Sequence, residues 1–478
     1  MDRLAQLDHR YVWHPFTQMR DWLKREPIVI VRGKGAVLRD VRGREYLDAN
    51  SSIWTNLHGH NQPAINTAIQ RQLHKIAHSS ALGLANEQAS LLAERLVQSA
   101  NTQKTRRSPG GSELQKVFFS DDGSTALEVA LKLAYEFTRR TRGSASRPRF
   151  LSLQGAYHGD TVGAVSLGHI KLFHDAYRGL LFKADKVDSP YCYRCPFNRA
   201  HPERGDAREY RKCNQECVVQ FEQKLRKQTK RGEPYAGFVF EPLMQGAAGM
   251  IAQPPGWLGA VTELARNHGA LLIADEVMTG FGRTGTTKEN ARGNSIFACQ
   301  HEGVRPDFLC VAKGLTGGYL PMAATLTTRR IFDAFFGRYE DFKTFFHGHS
   351  YTGNQVGAAA AIASLNLLQT RESKARRAAL EKTFDAQLHR LWRLPRVGDI
   401  RRVGLVAGIE LVRDWRTRQP FELREQAGIR VCEAMAKRGV LTRPIGNVIV
   451  LMPPFCTTAT QLQRMVQSVH DACEETLG

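Results

Sequence analysis

The chain has 478 residues, 42% of them hydrophobic and 24% charged, which allows two or three domains with a sizeable core and excludes a disordered or fibrous chain. Its net charge is +21, but the basic residues are spread over KTRR (104–107), RRTRGSASRPR (139–149), KLRKQTKR (224–231) and KARR (374–377). None is interleaved with stacking aromatics or zinc-finger spacing, so a solvated basic surface is expected and no nucleic-acid partner. No apolar run approaches the ~20 residues that cross a bilayer, and the start, MDRLAQLDHRYVWHPF, lacks the apolar stretch of a secretory signal; no membrane partner and a cytoplasmic location are expected.

Along the chain, segment 28–50 alternates and turns at glycines like a small antiparallel meander. Next come short apolar runs separated by helical patterns: KVFFS (116–120), RFLSLQ (149–154), GFVFEP (237–242), ALLIADEV (270–277), FLCVAK (308–313) and MAATLTT (322–328). Helices are predicted over 123–140, 256–268 and 354–370, with apolar residues three and four apart. Runs apolar on both faces suit a mostly parallel sheet covered by helices, an α/β architecture. Residues 372–478 mix basic helices with the strand-like GLVAGIELV and NVIVLMPPF. The expected organisation is a large α/β domain over 61–345, with a small α+β domain assembled from residues 1–60 and 346–478.

A polar insertion at about 188–220 holds four of the nine cysteines, as Cys192-x-x-Cys195 and Cys213-x-x-x-Cys217. Such paired spacings suit a four-thiolate zinc site, but the second is loose and nothing else in the fold requires a metal. A surface excursion with free thiols is favoured, and zinc stays open.

In an open parallel sheet, ligands bind beyond the carboxyl ends of the strands. Here those ends carry reactive residues. KVFFS leads into Asp121-Asp122-Gly123-Ser124, RFLSLQ into Gly155-Ala156-Tyr157-His158-Gly159-Asp160, ALLIADEV holds Asp275-Glu276, and FLCVAK ends at Lys313. Singly each has a plain structural explanation: a solvated lysine, an N-cap, a packed tyrosine. Together they match a pyridoxal 5′-phosphate site. A lysine can form an imine with the cofactor aldehyde, an aspartate can keep a pyridine nitrogen protonated, a helix start can take a phosphate, and an aromatic can cover the ring.

The stretches LLIADEVMTGFGRTG (271–285) and VAKGLTGGYLPMAA (311–324) resemble the signature of the class III, fold-type I, pyridoxal-phosphate-dependent aminotransferases, and the resemblance runs over nearly the whole chain. YVWHPFTQM (11–19), SSIW (51–54) followed by LHGHNQP, HGHSYTGN (347–354) and RPIGNVIVLMPPF (443–455) are similar to one branch of that class, which aminates 8-amino-7-oxononanoate to 7,8-diaminononanoate in biotin synthesis. The resemblance implies that Lys313 holds the cofactor as a Schiff base, Asp275 meets the ring nitrogen and Gly123 and Ser124 hold the phosphate. It places Tyr157 over the ring with Asp160 nearby, and brings Ser350 and Gly348 into the site of a homodimer that shares active sites. It further implies that Phe16 and Trp54 wall the substrate cavity, that Arg443 meets a substrate carboxylate, and that Arg283 reaches the ketone substrate.

Two departures bear on the amino donor. The branch that uses S-adenosylmethionine has tyrosine where this chain has Phe16, and tryptophan where it has Ile53. Members resembling this variant include ones that use lysine, so both donors stay open. Two other functions compete: a class III ω-aminotransferase acting on diamines or β-amino acids with pyruvate or 2-oxoglutarate, and a basic binding protein that kept the fold without the chemistry.

Overall fold

The computed structural model describes residues 1–102, 112–143, 145–285 and 295–478. The basic segment at 104–107 lies outside the described residues.

The core of the fold is a seven-stranded sheet, built in chain order from β1 (Leu114–Ser120), β2 (Phe150–Leu153), β3 (Asp185–Val187), β4 (Gly237–Phe240), β5 (Leu271–Asp275), β6 (Phe308–Val311) and β7 (Ala323–Thr328). Their spatial order is β1-β7-β6-β5-β4-β2-β3. All pairings are parallel except those of β7, which runs against both β6 and β1. β2, β4, β5, β6 and β7 are buried at every position, which is why they read as unbroken apolar runs rather than as alternation. The edge strand β3 was not predicted. It is three residues long, and its Asp185 and Lys186 carry no apolar pattern.

Helix Gly123–Arg142 follows β1 and packs beneath the middle of the sheet through Leu127, Ala130, Ala134 and Phe137. Asp122 caps it by accepting from Thr125 N, Thr125 returns the bond, and Arg139, Arg140 and Arg142 occupy its last turn against the negative end of the helix dipole. Helices Trp257–Asn267 and Gln355–Gln369 form within two residues of the predicted spans.

The predicted meander forms as Ile30–Lys34, Val37–Asp40 and Glu45–Asp48, antiparallel in sequence order. Its last strand pairs in parallel with Val440–Leu441, from the far end of the chain. Strands Val397–Val403, Val406–Asp414, Val448–Leu451 and Pro444–Ile445 make a further antiparallel sheet. No helix among the described residues is long and apolar enough to cross a membrane.

The cysteine-containing insertion is docked rather than loose. Arg194 bonds both Glu410 (2.6 Å) and the Arg418 carbonyl, Tyr191 donates to Glu410, and Tyr193 is fully buried. Its aromatic side chains and the buried charge on Glu410 anchor a segment whose polar composition suggested a surface excursion. Cys192 is buried, the other three thiols are half-buried, and all four are free.

Candidate active site

The carboxyl ends of the parallel strands converge on a cavity of about 430 Å³. Gly123 and Ser124 open the helix after β1 on one wall, where the first N–H groups of the helix have no intrahelical partner. Only glycine fits at 123, because a Cβ there would lie 2.7 Å from Val277 Cγ1. Opposite, the loop after β2 folds back so that Asp160 N donates to Ser124 Oγ (3.1 Å). That approach requires Gly159, whose φ is +116° and whose Cβ would stand 2.0 Å from Ser124 Oγ.

Tyr157 lines the cavity beside Gly159, and its hydroxyl donates to Asp160 Oδ2 (2.7 Å). The next residue, His158, is buried, and its Nδ1 lies 2.7 Å from Asp275 Oδ2 at the end of β5. A carboxylate only accepts, so His158 carries a proton on Nδ1. Val277 N donates to the other oxygen of Asp275 (3.1 Å), which leaves the carboxylate oriented into the cavity between an imidazole donor and a backbone donor.

Lys313 stands just beyond β6, at the start of a short 3-10 turn with φ 44°. Its Nζ lies 4.8 Å from the centroid of the Trp54 ring. Burial lowers the pKa of its ammonium below the ordinary value, against the pull of the carboxylates of Asp275 and Glu241. Glu241, after β4, is fully desolvated, and burial with the adjacent charge of Asp275 pushes its carboxyl up to about 7. It accepts from Gly246 N (2.7 Å) and Tyr157 N (3.5 Å). Lysine, aspartate, glutamate and a helix start thus face one space, the three side chains supplied by the ends of β6, β5 and β4 and the helix start by the end of β1.

The profile of the class III aminotransferase family matches residues 19–473. The chain belongs to the class III aminotransferases. Among its relatives, the adenosylmethionine-8-amino-7-oxononanoate aminotransferase of Geobacter sulfurreducens is 45% identical over 99% of this chain and 98% of its own length. The enzyme of that name from Nitratidesulfovibrio vulgaris is 48% identical over 98% of this chain and 81% of its own. The crystal structure of the Methanocaldococcus jannaschii adenosylmethionine-8-amino-7-oxononanoate aminotransferase superposes with a TM-score of 0.87 at 38% identity, covering 99% of both chains. An amine transaminase from an uncultivated Pseudomonas species, solved with its pyridoxal phosphate bound, superposes with a TM-score of 0.85 at 32% identity over 97% of this chain and 98% of its own.

This aminotransferase depends on pyridoxal 5′-phosphate, and its cavity fits that group. The donor set is a desolvated amine for a carbonyl, an oriented carboxylate for a ring nitrogen, and a helix start with a serine hydroxyl for a phosphate. The glycines at 123 and 159 clear the space that a side chain would fill.

Not every residue named from the sequence of this aminotransferase comes to the cavity. Gly123, Ser124, Tyr157, Asp275, Lys313 and Trp54 line it. Phe16 stands next to it, exposed, with its ring edge-on to Tyr157 (6.5 Å) and Phe173 (5.2 Å). Arg443 is exposed and donates to the Phe16 carbonyl (2.7 Å). Asp160 is exposed and reaches the cavity only through Tyr157. Gly348 and Ser350 lie on the exposed segment after β7, where the Ser350 carbonyl accepts from His78 Nε2 (2.9 Å); neither lines the cavity of its own chain.

Arg283 is a correction. Its side chain is buried and does not line the cavity; Nη1 and Nη2 donate to the carbonyls of Pro453 and Asn56, both at 2.8 Å, and the guanidinium lies over the Phe455 ring. Burial lowers its pKa to about 9. The physical reason is the path of the TGFGRTG loop: Val277 and Met278 still line the cavity, but the loop after them turns inward, so this arginine ties two backbone segments together. His158 and Glu241 were not assigned roles from the sequence. His158 had one signal, its place beside Tyr157 after a strand; Glu241 had only its position at the end of GFVFEP.

Proposed function

We propose that this chain transfers an amino group from S-adenosylmethionine to 8-amino-7-oxononanoate, giving 7,8-diaminononanoate for biotin synthesis, and that it works as a cytoplasmic homodimer. The observation that carries the acceptor is Arg443. Its guanidinium is hydrogen-bonded to Phe16, whose ring abuts Tyr157 at the cavity, so a fork for a carboxylate stands at a distance from the reacting amine of Lys313. A long substrate with a ketone at one end and a carboxylate at the other suits that separation. The relatives carrying this reaction in their name support the same reading and support S-adenosylmethionine as donor.

When bound, the cofactor supplies a carbonyl carbon that exchanges amines and a ring that accepts an electron pair. The chain supplies the rest. Gly123 and Ser124 hold the phosphate, with the hydroxyl of Ser350 joining from the partner subunit and Gly348 beside it. Tyr157 would cover one ring face, and Asp275, steadied by His158, would keep a proton on the ring nitrogen. Lys313 Nζ would hold the cofactor through its carbonyl carbon and, once freed, would be the base that moves a proton at the donor carbon. Trp54 and Phe16 exclude water from the substrate, with Asp160 polarising the hydroxyl of Tyr157.

Lysine is the second donor reading, favoured by Phe16, which lacks a phenolic hydroxyl, and by the half-exposed Ile53 beside Trp54. Purified enzyme supplied with 8-amino-7-oxononanoate and, in parallel, S-adenosylmethionine, lysine or other amines separates the two by mass analysis of the product. Diamine formation with S-adenosylmethionine is expected. Turnover of pyruvate or 2-oxoglutarate with none of 8-amino-7-oxononanoate would replace the proposal with an ω-aminotransferase.

A further inference from the structure

Ser51, Ser52, Ile53 and Trp54 all have positive φ, at 47°, 49°, 62° and 69°. Trp54 N donates to Asn50 O and Thr55 N to Ser51 O, both at 2.9 Å, closing one left-handed helical turn. L-residues other than glycine visit this region singly, and β-branched ones such as isoleucine least of all. A run of four persists only where the surroundings over-determine it.

The surroundings are built on Asp48, a buried carboxylate with four bonds. Oδ1 accepts from Ser52 N (3.0 Å) and Asn50 N (3.3 Å), and Oδ2 accepts from Ser52 Oγ (3.0 Å) and His60 Nε2 (2.9 Å). The His60 bond is itself fixed. Gly59 N donates to Asn56 Oδ1 (2.8 Å), which orients the amide so that Asn56 Nδ2 donates to His60 Nδ1 (3.0 Å), and the imidazole must carry its proton on Nε2. Beyond the turn, Ser51 Oγ donates to Met452 O (2.6 Å).

The turn ends on Trp54, whose ring lies against Lys313 Nζ. The indole Nε1 is buried without a hydrogen-bond partner among the described residues, so no polar contact of its own orients the ring. The backbone turn does. The loop that follows Lys313 presses on the same segment: Gly317 O accepts from Leu57 N (3.4 Å), and a Cβ on Gly318 would lie 2.8 Å from Asn56 N.

We propose that Asp48 is a positioning residue of the amino-transfer site, its carboxylate locking the left-handed turn that holds Trp54 against Lys313. This rests on the reading that Lys313 carries the cofactor. An Asp48→Asn variant keeps the shape but has one oxygen to serve donors that now use two. The test compares it with wild type in three measurements: thermal unfolding, KM and kcat for 8-amino-7-oxononanoate, and the pH titration of the absorbance of the lysine-bound cofactor. Positioning predicts a KM raised about tenfold, with kcat changed less, and a displaced absorbance titration. A variant that loses thermal stability yet keeps the wild-type KM and titration overturns the proposal. Should Asp48→Asn not fold, Ser52→Ala removes a single bond to the carboxylate; a smaller rise in KM supports the proposal and an unchanged KM and titration overturns it. Wild-type protein showing no lysine-bound cofactor absorbance refutes instead the reading of Lys313, so the two failures are distinct.

Discussion

In the proposed reaction the chemistry turns on Lys313, and its burial, with the Trp54 ring against its amine, is what separates it from a surface lysine. Lys313→Ala is expected to abolish both turnover and the absorbance of lysine-bound cofactor while leaving the fold intact; spectra and activity of the purified variant check this. Glu241 makes a prediction about pH. Folded, its carboxyl takes up a proton near about 7; unfolded, near the ordinary 4.5. Between those values the folded state binds more protons, so this group's contribution to stability falls as pH rises and its penalty is complete above 7. Glu241→Gln removes that dependence. Relative to wild type, the apoprotein variant gains stability on going from pH 5 to pH 8, by at most about 3 kcal/mol, as read from denaturant unfolding at the two pH values.

At the scale of elements, the junction of β1 with helix Gly123–Arg142 is the most constrained part of the site. The helix brings its dipole and free N–H groups, and the loop after β2 closes over Ser124 only because residue 159 has no side chain. Gly159→Ala places a methyl on Ser124 and asks an alanine to take φ +116°. Cofactor affinity should fall by more than about tenfold, measured by equilibrium dialysis of pyridoxal phosphate, with a smaller loss of overall stability. This junction was readable from the sequence because polar Asp-Asp-Gly-Ser interrupts an apolar strand and a helical period at one point. The strands from β4 to β7 were readable for a similar reason: burial on both faces makes them continuous apolar runs. The turn at 51–54 was not, since left-handed backbone is signalled by glycine and here there is none. Arg283 was misplaced because a loop sequence fixes the order of its residues but not the side to which it turns. The pairing of His158 with Asp275 joins the loop after β2 to the end of β5, and no local pattern carries a contact of that range.

Across the whole molecule, a buried ionic cluster joins the docked insertion to the C-terminal sheet. Arg401 bonds Asp399 (2.8 Å) and Glu410 (2.6 Å) with one nitrogen and the carbonyls of Met250 and Gly249 with the others, while Arg194 meets Glu410 from the insertion. Arg401→Met would strand the desolvated carboxylate of Asp399 and leave Glu410 to Arg194 and Tyr191 alone. We expect a loss of about 3–5 kcal/mol, read as a lower midpoint in urea, since removing one partner of a buried pair leaves the other uncompensated. Charge of this kind could not be placed from composition, where Arg401 is one basic residue among many. The α/β architecture could, because it follows from the alternation of apolar runs with helical periods.

The pairing of Glu45–Asp48 with Val440–Leu441 has a consequence in time. A ribosome delivers the meander early and its partner strand almost last. β1 likewise waits for β7, the only strand beside it among the described residues. The edge of the meander stays unpaired through most of synthesis, and that of β1 until β7 emerges, each open to wrong partners meanwhile. The left-handed turn that seats Trp54 hangs from the first of them, so its strand support is complete only once residues 440–441 have been made. A chain cut short before residue 440 would keep most of its central sheet and have no finished place for its substrate.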